Sequence, residues 1–160
     1  MASTYEKIAT TTLGSATATV TFSSISASYT DLVIIFNGAL TTGFDAIAVT
    51  ANNDTGSNYS RTFLTGDGST ASSSRSSNAS SIQLGIVGSE NSNDIFQINN
   101  YSNTTTYKTF LCRGNSSANQ VRVTVGLWRS TAAINRLDFV ASSSTFIAGS
   151  TFTLYGIKSA

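Results

Sequence analysis

Val121-Arg122-Val123-Thr124-Val125-Gly126-Leu127-Trp128 alternates with a two-residue period. Val121, Val123, Val125 and Leu127 fall on one side, and Arg122, Thr124, Gly126 and Trp128 on the other. Successive side chains of an extended chain point to opposite faces, so this is the period of a strand with one face covered. The aliphatic side is expected to face the core and the side of Arg122 and Thr124 to face water. The same period runs through residues 16–22, where Ala16, Ala18, Val20 and Phe22 oppose Thr17, Thr19 and Thr21, and through Phe152-Thr153-Leu154-Tyr155. One wet side per strand is usual in antiparallel sheets. Leu32-Val33-Ile34-Ile35-Phe36 lacks alternation. It is expected as a central strand, covered on one face by the opposing sheet and on the other by a loop or a neighbouring subunit.

Further strands are expected at residues 5–10, 45–51, 59–64, 81–87, 94–101, 106–112 and 134–140, about ten in all. Turn signals separate them: Asn37-Gly38, Thr42-Gly43, residues 52–58, Gly66-Asp67-Gly68, residues 88–93, Arg113-Gly114-Asn115 and Gly149-Ser150. No helical spacer interrupts the order, which excludes a parallel βαβ plan. The expected fold is all-β, a two-sheet antiparallel β-sandwich of the jelly-roll type, in a single domain over residues 1–160.

Composition agrees with strands. Glu (2), Lys (3), Gln (3) and Met (1) are scarce, which removes the straight-chain helix formers, while Ser (27) and Thr (24) make up about a third of the chain. Leu, Ile, Val and Phe together supply 38 of 160 residues, enough for a core and above the level at which disorder becomes the default. Nine Lys and Arg against eight Asp and Glu leave a net charge of +1, so nucleic acid is not the expected partner. Histidine is absent, which excludes a Ser-His-Asp triad, a Cys-His pair and a histidine zinc site within the chain. The N-terminus lacks a basic segment followed by an apolar one, and the run at Leu32–Phe36 is too short to span a bilayer. The expectation is a protein made in a cytoplasm, with no membrane partner, complete from its own Met1 and without a fibre stalk.

The chemical motifs read mostly as structure. Cys112, the one cysteine, shares a face with Phe110 and is expected as a buried small hydrophobe. Asp31, Asp45, Asp54, Asp67, Glu90 and Asp94 are the carboxylates from which a glycosidase pair would have to come, but they lie scattered on turns and strand starts, where Asp is common anyway. Asn52-Asn53-Asp54-Thr55-Gly56-Ser57-Asn58 carries the oxygen atoms calcium prefers, yet its glycine is one place early for an EF-hand loop and no Glu follows, so an Asx-rich turn is expected. Gly66-Asp67-Gly68 reads as a hairpin turn and not a phosphate cradle. Residues 69–81, eight of them Ser, with Arg75 as their one charge, are expected as a flexible, extended surface loop. Trp128 and Tyr155 fall on the polar phase of their strands, which suits a subunit seam, a sugar-stacking platform or a ring half-covered at a sheet edge. No catalytic, metal-binding or cofactor-binding residue is expected, and no partner-contact residue is identified.

Two stretches resemble a known group. Tyr5-Glu6-Lys7-Ile8-Ala9-Thr10-Thr11-Thr12-Leu13-Gly14-Ser15, then Val20-Thr21-Phe22-Ser23-Ser24-Ile25 and Tyr29-Thr30-Asp31-Leu32-Val33-Ile34, are similar to the opening of small virion structural proteins of tailed bacteriophages, especially aquatic and cyanobacterial ones. Ile134-Asn135-Arg136-Leu137-Asp138-Phe139, then Phe146-Ile147-Ala148-Gly149-Ser150-Thr151-Phe152-Thr153-Leu154-Tyr155-Gly156-Ile157-Lys158, resembles the last strands of the same group. The matching residues are packing and turn residues. The resemblance implies a non-enzymatic β-sandwich, homo-oligomeric and expected as a homotrimer, on the outer surface of the virion. As a capsid cement or decoration protein its partner would be the major capsid protein. The alternative is a tail-fibre or tail-spike tip that recognises host surface glycans.

Overall fold

A computed structural model describes residues 4–116 and 120–158. Its strands are β1 (Tyr5–Thr12), β2 (Thr19–Phe22), β3 (Asp31–Gly38), β4 (Phe44–Ala51), β5 (Tyr59–Gly66), β6 (Ala71–Ala79), β7 (Ile82–Gly88), β8 (Ser92–Ile98), β9 (Lys108–Ser116), β10 (Gln120–Trp128), β11 (Leu137–Ala141) and β12 (Thr151–Ile157). All pair antiparallel, in an eight-stranded sheet ordered β1-β12-β3-β8-β9-β10-β5-β6 and a four-stranded sheet ordered β2-β11-β4-β7. The half β1-β12-β3-β8 with β2-β11-β4-β7 is an eight-stranded jelly roll, the chain swinging from one sheet to the other at β1 to β2, β2 to β3, β3 to β4, β7 to β8, β10 to β11 and β11 to β12. Two inserted hairpins, β5–β6 and β9–β10, join through β5 and β10 and double the width of one sheet.

The core lies between the sheets. Phe36, Phe152, Phe146, Phe139 and Phe96 form a chain of ring contacts with centroids 4.7 to 5.6 Å apart. On β3, Leu32, Ile34 and Phe36 point inward and are fully buried. Val33 and Ile35 lie on the outer face beside Gln97 and Ile95 of β8, Val33 buried and Ile35 half-buried, as befits an interior strand. In β2 only Val20 and Phe22 enter the core, while Ala16 and Ala18 precede the strand and are exposed.

Two expectations are overturned. In β10 the phase is inverted: Thr124, Gly126 and Trp128 are buried, while Val121, Val123 and Val125 are exposed, Val121 at 63%. The narrow sheet decides which side is covered. Its edge strand β7 packs across β9 and β10, and Ile82 occupies the space that a side chain at Gly126 would need. Trp128 is 2% exposed and stacks on Tyr59, directly across the β5–β10 ladder.

Residues 69–81 are the second correction. They do not form a loop but supply β6, which pairs with β5 along seven registered positions and forms one edge of the wide sheet. Asp67 closes the hairpin by accepting from the N–H groups of Ser69 and Thr70 (2.9 and 2.6 Å) and from the Ser69 hydroxyl. Serine has little preference for strands, but a pre-formed neighbour offers its backbone groups a ladder. Deleting residues 72–77 is therefore expected to expose the β5 edge and promote aggregation, rather than simply shorten a loop. Light scattering of the deletion against the full chain checks this.

Candidate functional site

The wide sheet reaches beyond the narrow one, so its β9-β10-β5-β6 half has two distinct surfaces. On the outer face, Val121, Val123 and Val125 of β10 stand in a row, with Leu64 of β5 opposite Val123 and Leu111 of β9 opposite Val125. All five are exposed, Leu64 at 63%. Arg113 lies across from Val123, and Arg75 follows on β6 opposite Thr62. Neither arginine forms an ion pair, and no carboxylate stands on this half of the outer face among the described residues.

The inner surface runs past β7 as a ledge. Arg61, Phe63 and Thr65 of β5 share it with Arg122 of β10, because alternate residues of β5 continue the face that buries Tyr59. The Arg122 guanidinium lies 4.3 Å from the Phe63 ring centroid and that of Arg61 5.8 Å. Arg122 donates through Nε to Thr65 Oγ1 (3.2 Å) and through NH1 to the Gly85 carbonyl (3.4 Å). Arg61 Nε is buried without a partner. Burial lowers the pKa of both guanidiniums, and Arg61 lowers that of Arg122 further. A depression of about 410 Å³ opens at the Arg61 end, walled by Ser76 and Asn78 of β6 and Gln83 of β7. Arg129 donates to two groups on its wall, the Ser57 carbonyl (2.6 Å) and Asn78 Oδ1 (2.9 Å).

Between the sheets, on the inner face of β8, sits Asp94. It is fully buried over Gly114, and the left-handed Gly85 (φ 67°) passes above it, so that a Cβ at either glycine would strike the carboxyl group. Neither oxygen accepts a well-formed hydrogen bond. Burial pushes its pKa up to about 8, against smaller lowering effects from the Ile86 N–H and Arg122. The acid is therefore protonated at neutral pH. Nearby Cys112 is buried and its thiol is pushed well up, first by burial and then by Asp94, which leaves it inert as a nucleophile.

The other carboxylates are employed locally. Asp31 accepts from Asn100 N (2.6 Å), and Asp45 from Ala46 N, Ser143 N and the Ser143 hydroxyl. Asp54 accepts from Trp128 Nε1 (2.7 Å), Asn58 Nδ2 and Gly56 N, and the indole bond above all lowers its pKa. These bonds tie residues 52–58 into an Asx-rich turn, anchored further by Asn52, which bonds Ala133, Asn135 and Arg136. Asp138 pairs with Arg136 at 2.7 Å and Glu6 with Lys158 at 2.6 Å. Glu90 lies just before β8 and is exposed. Four surface depressions among the described residues carry no carboxylate in their lining; the one of about 560 Å³ is walled instead by Asn37, Asn91, Asn93 and Asn115.

Of the three readings open for Trp128 and Tyr155, a sugar-stacking platform made of both rings is not formed. Trp128 is buried, and Tyr155, on the outer face, is half-buried edge-on against Tyr5 with centroids 6.3 Å apart. The alternation of residues 121–128 discloses the outer apolar row, but points it toward the core, where the structure exposes it. The arginine ledge had no sequence signal beyond the spacing of Arg61 and Phe63 on one strand face.

No protein-family model and no curated protein matches the chain. Among solved structures it is similar to the CBM40 of the Ruminococcus gnavus IT-sialidase bound to α2,6-sialyllactose, with 9% identity, 96% of this chain and 95% of that one covered, and a TM-score of 0.41. It is also similar to an alginate lyase in complex with alginate trisaccharide (7% identity, 93% and 80% covered, TM-score 0.36) and to domains LG4-5 of the mouse laminin α1 chain (15% identity, 91% and 40% covered, TM-score 0.32). Likeness at this level carries no argument about function.

Proposed function

We propose that the chain is a non-enzymatic structural protein of a tailed-bacteriophage particle, a capsid cement or decoration protein that docks on the outer capsid surface and stabilises the head. The observation that supports this best is the outer face of the wide sheet. A row of exposed aliphatic side chains flanked by Arg75 and Arg113, with no acid on that half of the face, suits a partner surface that is apolar at its centre and acidic at its rim. A junction between major capsid subunits would supply such a surface only in the assembled lattice, so docking would favour the lattice by mass action. The sparsely charged Ser/Thr/Asn surface is cheap to desolvate, which suits permanent assembly, as does the proposed homotrimer.

Immunogold electron microscopy of intact particles tests the placement: gold is expected over the head, and particles stripped of the protein are expected to rupture at a lower temperature. Equal rupture temperatures would overturn cementing. Val123→Lys tests the docking face. Because Val123 is exposed, the variant's unfolding free energy should stay within about 0.5 kcal/mol of the parent's, the range of an ordinary surface change. Its occupancy on stripped heads, measured by sedimentation, should fall more than tenfold, and undiminished occupancy would clear this face of the role. The second reading, a tail-fibre or tail-spike tip that binds host glycans, is favoured by the arginine ledge, and gold confined to the tail would select it.

A further inference from the structure

We propose that the inner ledge of the β5–β6 extension, around Arg61, Phe63, Arg122 and the depression between β6 and β7, is a binding site for an acidic saccharide, one whose sugar rings carry carboxylates. This goes beyond the placement of the protein on the particle and holds for head or tail alike.

Two arginines, Arg61 and Arg122, share one aromatic ring here without an ion pair, and a third, Arg129, bonds two groups on the wall of the depression, the Ser57 carbonyl and Asn78. The neighbouring acids do not neutralise them. Asp94, beside Arg122, holds its proton at neutral pH; Asp54 is engaged by Trp128, Asn58 and Gly56; and Asp67 is bound within its own hairpin turn. Keeping partly desolvated guanidiniums together without an anion is costly, and Arg61 Nε has no acceptor at all. A carboxylate placed between Arg61 and Gln83 would accept from the guanidinium fork and relieve that cost.

The rest of the lining selects the ligand class. Ser76, Asn78, Ser80, Ser81 and Gln83 are neutral hydroxyls and amides, which match the hydroxyls of a sugar. A phosphate polymer would need a longer run of positive charge than this chain, at net +1, supplies. The depression of about 410 Å³ falls in the size range of small-ligand sites, so one or two sugar rings fit it.

The test uses the full chain with tri-galacturonate, its neutral counterpart maltotriose, and inorganic phosphate, followed by amide chemical shifts and calorimetry. Tri-galacturonate is expected to bind at least tenfold more tightly than maltotriose, with shifts confined to β5, β6, β7 and the stretch of β10 around Arg122. Arg61→Gln should weaken it at least tenfold and Gln83→Ala severalfold, while Arg61→Lys, which keeps the charge and loses the fork, should fall between. Val123→Lys on the opposite face should leave it unchanged. No binding of tri-galacturonate, equal binding of both trisaccharides, or affinity unchanged in both Arg61→Gln and Gln83→Ala would overturn the proposal. So would displacement by inorganic phosphate at the same concentration, which would mean a simple anion site. Gold labelling of particles reads placement separately, so the site and the cement reading can fail independently.

Discussion

Replacing Asp94 by asparagine is expected to remove most of a fall in stability between pH 4 and pH 8. In the folded protein the carboxyl group titrates at about 8 because burial penalises its charged form, whereas in the unfolded chain it titrates near the ordinary aspartate value, about 4. Between those values the unfolded state has released the proton and the native state still holds it. The native state then binds more protons, so stability falls as pH rises, by at most about 1.4 kcal/mol per unit, and levels off above the folded pKa. The advantage of Asp94→Asn over the parent should therefore grow by about 3 to 5 kcal/mol from pH 4 to pH 8. The comparison between two pH values cancels whatever the new amide gains or loses against Gly85 and Gly114. Urea unfolding of both proteins at several pH values measures it. Parallel curves would mean that Asp94 is charged in the fold, with Arg122 turned to meet it.

Trp128→Ala should be the most damaging single truncation, at about 3 to 5 kcal/mol. The ring is buried at 2% exposure, stacks parallel to Tyr59 with centroids 6.3 Å apart, and donates from Nε1 to Asp54. Its loss would leave a cavity where the wide sheet begins to outrun the narrow one, and would free the turn at residues 52–58. Trp128→Phe separates the two contributions. It keeps much of the volume but not the donor, and should cost about 1 to 3 kcal/mol, with the Asp54 pKa rising toward its ordinary value because the indole bond is the main influence lowering it. Thermal unfolding and carboxylate titration by NMR check both. A loss below about 1 kcal/mol for the alanine variant would show that the ring is not part of the core.

Trp128 also marks the limit of what the sequence discloses. Alternation in residues 121–128 announces a strand with two unlike faces, and the all-β sandwich follows from many such segments. Which face is covered depends on where another sheet stops. Three valines and a leucine opposite arginine, threonine and glycine gave the wrong answer, because β7 needs the small Gly126 beneath Ile82 and leaves the valines outside. Trp128 on the supposed wet side was the clue, since a lone tryptophan seldom stays in water. The serine strand β6 is illegible for a different reason. Its residues are small or polar throughout, with no large apolar side chain, so no apolar period can appear, and it becomes a strand only because β5 is already there to pair with it. The ledge arginines lie on β5 and β10 far apart in sequence, and only the β5–β10 ladder brings them to one ring.

The jelly-roll order binds the first strand to the last. Tyr5 pairs with Ile157 and Thr12 with Thr151, and β12 alone joins β1 to β3. A ribosome emitting this chain would have no finished wide sheet to release until residue 157 had left the exit tunnel, and β1 and β3 would wait meanwhile with open edges. Such long loop closures set refolding on the scale of milliseconds to seconds. With no proline in the sequence, any slower phase in a stopped-flow trace would come from strand pairing or subunit assembly and not from proline isomers.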